Sequence, residues 1–323
     1  MSRDQIISFL GEDWNHTLEL IHSALDTDIS LLAETNDGVL RHSGKLLRPM
    51  LTLLSCRACS PVCTPDSMVY AAAVELLHNA TLLHDDVADG ATLRRGEPTV
   101  AAKLGASSAV LVGDFWLARA VKLAIGTSYR QEVLELFTKT LSDLAEGEML
   151  QLEKASLADT DLAAYYRIIY CKTASLFESA CVSGALAADA TKEQIEAIRR
   201  YARAMGIAFQ IKDDILDYSG GESLGKPVGI DLKERKITLP LLGAMENHPR
   251  EKEIRSMVAA IPEHPEYCAE ICAFVHACRG VEYAYDKMKA YVDEAVAALE
   301  PLSPGKARDF LAQIALFNSE RNS

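Results

Sequence analysis

The chain has 323 residues, with 33 Lys or Arg against 46 Asp or Glu and a formal net charge of −13. That balance speaks against a nucleic-acid partner, whose affinity rests on cations neutralising phosphates, and against a polybasic membrane-surface protein. Taken alone it also speaks against a phosphate-rich substrate, whereas 49% hydrophobic residues supply ample material for a core and argue against disorder.

Read from the N-terminus, the segment MSRDQIISFLGEDWNH sets acids on both sides of a short apolar run, which is not the pattern of a secretory signal. The most apolar stretch, 106–126, is interrupted by Asp114, Arg119 and Lys122, so no membrane-spanning segment is expected and the expected location is cytoplasmic. The eight cysteines are then expected as thiols. Cys56, Cys59 and Cys63 are spaced like metal ligands, but no fourth ligand is near, and Cys56 and Cys59 read as packing on an apolar helical run, as do Cys268 and Cys272 on one helix face. Helical periodicity covers 69–83, 107–125, 130–154, 162–188, 192–218 and 281–299. Breaks fall at 61–65, 90–98, 219–229 and 262–265, and no convincing two-residue alternation marks a strand. The predicted architecture is one all-α domain over 1–323, a bundle of long antiparallel helices around a central cavity.

Two helices end in the same acidic pattern. Asp85, Asp86 and Asp89 form D-D-x-x-D at the end of the first, and Asp213, Asp214 and Asp217 form it again before Gly220 and Gly221. Residues i and i+4 share a helix face, so the outer acids of each motif can point the same way. Carboxylates at a helix C-terminus oppose the macrodipole and repel one another, so their placement calls for a cation; hard oxygen donors suit Mg²⁺. In an antiparallel bundle the two ends can face each other across a cavity. Basic groups stand beside both motifs: Lys45 and Arg48 upstream, Arg94 and Arg95 after the first, Lys226, Lys233 and Lys236 after the second. Metal ions flanked by Arg and Lys make a diphosphate clamp.

These motifs resemble those of the trans-isoprenyl diphosphate (polyprenyl) synthases over residues 44–245, most of all the long-chain, octaprenyl-type enzymes. The resemblance is carried by Gly44-Lys-Leu-Leu-Arg-Pro49, His78-Asn-Ala-Thr-Leu-Leu-His-Asp-Asp-Val-Ala-Asp89, Leu93-Arg-Arg-Gly96, Leu111-Val-Gly-Asp-Phe115 and Gly147-Glu-Met-Leu-Gln151. It continues in Lys172-Thr-Ala-Ser-Leu-Phe177, Gly206-Ile-Ala-Phe-Gln-Ile-Lys-Asp-Asp-Ile-Leu-Asp217 and Gly225-Lys-Pro-Val-Gly-Ile-Asp-Leu232.

The resemblance implies an all-α prenyltransferase, commonly a homodimer, that condenses isopentenyl diphosphate head to tail with an allylic diphosphate. It implies Mg²⁺, in the family's usual number of three, at Asp85, Asp86, Asp89, Asp213 and Asp214, with Asp217 completing the second motif. It places Arg94, Lys172, Thr173, Phe209, Gln210 and Lys226 at the allylic substrate. Lys45, Arg48, His78 and Arg95 fall at isopentenyl diphosphate, and Lys236 near the leaving group. Arg235 stands where the family commonly has Gly. In the family a bulky aromatic four or five positions before the first Asp shortens the product. Here those positions are Thr81 and Ala80, with Leu77 and Val74 below them, so a product of about C30 or longer is expected, by the logic that pocket volume sets specificity. Shorter-chain synthesis and a subunit of a two-component synthase are the alternatives. A metal-dependent HD phosphohydrolase leaves the second acidic motif unexplained, and a terpene cyclase usually carries Asn, Ser or Thr, and Glu there. Loaded metals would also reverse the pocket's charge, which is why net charge misjudges this substrate.

Overall fold

The computed structural model describes residues 2–219 and 229–320, which gather into two compact units. Nearly every described element is an α-helix. The first unit comprises the described residues of Met1–Thr138, Ser179–Ile198 and Pro301–Leu311, and the second those of Lys139–Glu178, Arg199–Glu300 and Ala312–Ser323.

The first unit opens with α1 (Arg3–Leu10), α2 (Glu12–Ala24), α3 (Ser30–Arg41) and α4 (Leu47–Cys59), followed by α5 (Pro65–Ala88). Helix α5 starts where the Thr64 hydroxyl accepts from the Ser67 amide at 3.2 Å, with Pro65 in the first turn. Its middle is fully buried from Ala71 to Val74 and at Leu76 and Leu77, each leucine worth roughly 1.5–3 kcal/mol on burial. After α5 comes a two-residue hairpin, β1 (Leu93–Arg94) and β2 (Glu97–Pro98), too short to show alternation in the sequence. Arg95 and Gly96 at its tip have φ +54° and +82°, the paired left-handed geometry of a type I′ turn. Then follow α6 (Val100–Leu104) and α7 (Ala106–Ile125). Helix α7 packs along α5 through small residues: Ala109, Ala120 and Ala124 are buried, and a side chain at Gly113 would collide with His84, the residue before the first acidic motif.

The remaining elements are α8 (Arg130–Leu157), α9 (Leu162–Ile169), a π turn (Tyr170–Ala174), α10 (Ser175–Ala187), α11 (Lys192–Ser219), α12 (Ile230–Lys233), α13 (Leu239–Met245), α14 (Glu251–Ala259), α15 (Tyr267–Ala277), α16 (Gly280–Ala298) and α17 (Lys306–Glu320). In the second unit α13 lies close against α16, an approach that Gly280 permits by leaving room for the Pro240 carbonyl and the Ala244 methyl. The stretch that reads as one helix over 162–188 is interrupted by the π turn, closed by the Ser175 amide donating to the Tyr170 carbonyl. Gly147 and Gly206 make room for that wide turn: a Cβ at either would stand 2.6 Å from Cys171 Cβ or Ala174 Cα. The eight cysteines are free thiols.

Candidate active site

Helix α5 delivers the first acidic motif. Asp85 and Asp89 are exposed, on the shared face that their spacing predicts. Asp86, one residue round the helix, is 4% exposed, and Arg94 Nε donates to its Oδ1 at 2.7 Å. A buried carboxylate needs a partner, and β1 supplies one eight residues on. Below the motif, Val74 and Leu77 are fully buried and Ala80 nearly so, while half-buried Thr81 donates its hydroxyl to the His78 carbonyl at 2.8 Å.

The first unit also gathers a basic cluster. Arg95 Nη1 donates to the His42 carbonyl at 2.6 Å, and its guanidinium occupies the space a Cβ on Gly44 would take, 2.6 Å away. Gly44, at φ +80°, is therefore required both by its backbone and by this cradle. Burial pushes Arg48 down to about 10, with the Glu75 carboxylate opposing the shift. Burial likewise holds His78 well below its ordinary value, helped by Arg48 and Arg95, so it is a neutral ring among cations. Lys45 is exposed, and its carbonyl accepts from Arg3 Nε at 3.2 Å.

In the second unit Lys172 and Thr173 sit within the π turn. Its extra residue turns the helix by up to about 100° relative to a regular one. The neighbouring side chains reach two different helices. Lys172 Nζ pairs closely with Glu148 and donates to Gln151 Oε1 at 3.1 Å, both on α8. Thr173 donates to Gln210 Oε1 on α11 at 2.8 Å. Gln210 Nε2 donates to Asp214 Oδ1 at 3.1 Å, and the Tyr165 hydroxyl to Asp214 Oδ2 at 2.6 Å. Asp214 is 3% exposed, and burial pushes it up to about 7, with Asp231 adding to the shift.

Asp213 is exposed, and Asp217 accepts from the amides of Ile230 and Asp231 at 3.0 and 3.1 Å, capping the start of α12. Lys236 pairs closely with Glu234, and Asp231 is raised to about 6, mainly by burial. A cavity of about 200 Å³ is lined by Tyr165, Lys172, Gln210, Asp214, Asp231 and Lys236. Phe209 is half-buried, its ring 5.6 Å from that of Phe177. Lys226 lies outside the described residues.

Several of these groups have no role in the sequence reading. Glu75 had a signal, because a lone acid inside an apolar helical run has to find a cation; it is 1% exposed and accepts from Asn79 Nδ2 at 2.9 Å. Glu148 and Gln151 lie in the Gly147–Gln151 motif, to whose side chains the family resemblance gives no role. Tyr165 and Asp231 are placed only by the meeting of α9, α11 and α12. Arg235, in place of the family's usual Gly, keeps a left-handed backbone at φ +58°.

A profile of the Polyprenyl synthetase family matches residues 29–275. The chain belongs to that family. It is 35% identical to the octaprenyl diphosphate synthase of Haemophilus influenzae over all of this chain and 98% of that one. Its fold is shared with a decaprenyl diphosphate synthase from Rhodobacter capsulatus at a TM-score of 0.90 and 33% identity, each chain covered to 99%. A polyprenyl synthase from Caulobacter crescentus, complexed with calcium and isoprenyl diphosphate, superposes at a TM-score of 0.89 and 35% identity, covering all of this chain and 98% of that one. This polyprenyl synthetase is thus an all-α prenyltransferase. No described helix is long and apolar enough to cross a membrane.

The donor set fits a divalent cation. Among the described residues no three His, Cys, Asp or Glu side chains converge as a closed cage. Mg²⁺ does not need one: it takes one or two carboxylates, keeps waters and completes its shell with substrate phosphates. Asp85, Asp89 and Asp213, exposed carboxylates on helix ends, have that character.

Proposed function

We propose that this prenyltransferase condenses isopentenyl diphosphate with an allylic diphosphate to make a long all-trans chain of the octaprenyl class, working as a cytoplasmic homodimer on one continuous prenyltransferase domain. The observation that carries the diphosphate chemistry is the cavity where Lys172, Gln210 and Lys236 meet Asp214 and Asp231. Asp85, Asp89 and Asp213 would hold Mg²⁺, three ions by family resemblance, with Asp86, Asp214 and Asp217 completing the two motifs. The metal supplies charge neutralisation on the diphosphate.

Breaking the allylic C–O bond builds negative charge on the departing diphosphate. Arg94, Lys172, Lys226 and Lys236 supply cationic donors for it. Thr173, Gln210 and Phe209 line the same substrate. Lys45, Arg48 and Arg95 bind the second diphosphate, with His78 donating or accepting as a neutral ring. The isopentenyl double bond attacks the allylic carbon, and one proton then leaves; the released diphosphate is a base within reach of such chemistry.

The small residues Ala80 and Thr81 above Leu77 and Val74 support a long product. Mass spectrometry of the product from purified protein, isopentenyl diphosphate, an allylic primer and Mg²⁺ tests the reading. A chain of about C30 or more is expected, and Ala80→Phe or Thr81→Phe should cut it to about C15–C20 by filling the space below the motif. Unshortened products would remove the chain-length assignment, and no turnover by the protein alone would favour a two-component enzyme.

A further inference from the structure

We infer that Tyr165 is a positioning residue for the allylic substrate, acting through Asp214 and Gln210 to orient the Thr173 hydroxyl; this rests on the reading of the site given above. Four side chains of the second unit form one unbroken chain: Tyr165 to Asp214 at 2.6 Å, Gln210 to Asp214 at 3.1 Å, Thr173 to Gln210 at 2.8 Å. The direction of each bond follows from the chemistry of the groups. Each oxygen of Asp214 accepts from one donor, the Tyr165 hydroxyl on one and the Gln210 amide nitrogen on the other. Gln210 must then turn its amide nitrogen to Asp214, which leaves its carbonyl oxygen for Thr173. Thr173 therefore spends its proton on Gln210, and its oxygen lone pairs can accept only from a donor that accompanies the diphosphate, not bond the phosphate oxygens themselves.

Tyr165 starts this sequence from a rigid place. It is 3% exposed, near the start of α9, which Asp161 caps by accepting from the Ala164 amide at 2.7 Å. Its ring meets that of Tyr166 edge-on at 5.4 Å. The π turn gives the chain its geometry. Tyr165 and Thr173 are eight residues apart, about 80° out of register in a regular helix. One extra residue in the turn makes eight advance like seven, about 20° from alignment, so both can face α11. Helix α11 receives them at Gln210 and Asp214, four residues apart on one face.

The test is Tyr165→Phe, which keeps the ring and removes the hydroxyl. With Mg²⁺, isopentenyl diphosphate and an allylic diphosphate, kcat/KM for the allylic substrate should fall about tenfold, the upper part of the range for losing one typical hydrogen bond. The KM for isopentenyl diphosphate should stay within about twofold of wild type, because lost binding on one substrate leaves the other unchanged. A double-mutant cycle with Thr173→Val should be strongly non-additive, since both changes break one chain. Additive losses, or an unaffected Tyr165→Phe, overturn the inference. A rise in both KM values together assigns Tyr165 a merely structural role and overturns it too. If Tyr165→Phe does not fold, 3-fluorotyrosine at position 165 keeps size and hydrogen bond but alters donor strength. It should change the same allylic kcat/KM by a few-fold, since a stronger donor alters the bond to Asp214, and an unchanged value overturns the proposal. Wild-type turnover is the control: its absence would defeat the reading of the site itself, whereas active wild type with an indifferent variant defeats only the role of Tyr165.

Discussion

The two acidic motifs spell the same D-D-x-x-D, and the two units treat them differently. In both, the first aspartate (Asp85, Asp213) is exposed and the second (Asp86, Asp214) is buried, because adjacent residues on a helix stand about 100° apart. The buried member is held by a cation in one unit and by neutral donors in the other. Arg94 pairs Asp86 at 2.7 Å, whereas Tyr165 and Gln210 share the two oxygens of Asp214. The third member diverges as well: Asp89 ends α5 in the open, and Asp217 caps α12. Identical short motifs thus divide into a presented group and an anchored group, and the anchor is chosen by whatever the fold packs beside it.

The largest expected effect tests the presented pair. Asp85→Asn and Asp213→Asn should each reduce the turnover rate by about 10²–10³-fold, as removal of one charge-stabilising group in a preorganised site does. Equal retention of activity in either would break the parallel between the motifs. The anchors come next. Arg94→Met leaves Asp86 buried without its cation and should destabilise the protein by about 2–3 kcal/mol in urea unfolding. Tyr165→Phe leaves Asp214 its Gln210 bond and should destabilise by about 1 kcal/mol. The reverse order would mean that the cation-held anchor is the weaker one.

The wide turn that serves the second motif is open to a steric test. Gly147→Ala and Gly206→Ala place a methyl 2.6 Å from Cys171 or Ala174 and should destabilise by about 1–3 kcal/mol through overpacking. Because Lys172 and Thr173 ride on that turn, the allylic KM should rise in the same variants. The smallest effect compares the two left-handed arginines. Arg235→Gly relieves a backbone conformation at φ +58° and should stabilise by up to about 1 kcal/mol. Arg95→Gly relieves the same kind of strain at φ +54° but removes the guanidinium seated against Gly44, so it should weaken binding of isopentenyl diphosphate. Calorimetry of the two variants separates backbone strain from side-chain function.

Much of this molecule is legible in its amino-acid sequence. Helical periodicity located α7, α8, α11 and α16 to within a few residues, because a long amphipathic pattern is a local property of the chain. The helices before residue 60 and those between 251 and 277 have 13 residues or fewer, so each offers few turns over which a period can be recognised. The exposed acids were legible because like charges at a helix end are an anomaly that sequence alone displays. The hairpin was not, since two-residue strands have no alternation to detect. The π turn was equally hidden: Tyr-Cys-Lys-Thr-Ala is compatible with a regular helix, and the widening is accommodated by Gly147 and Gly206 from helices distant in sequence.

The sequence by itself determined the helical class, the two acidic motifs, the basic residues beside them and the small residues below the first motif, all of which are recorded in residue type and spacing. Only the tertiary structure decided which aspartate of each motif is exposed and which is buried, that buried Glu75 comes within electrostatic reach of Arg48, and that Tyr165 reaches Thr173 through two side chains of α11. Those choices depend on the partner each side chain meets across helices, and burial makes an unpartnered polar group too costly to leave to chance.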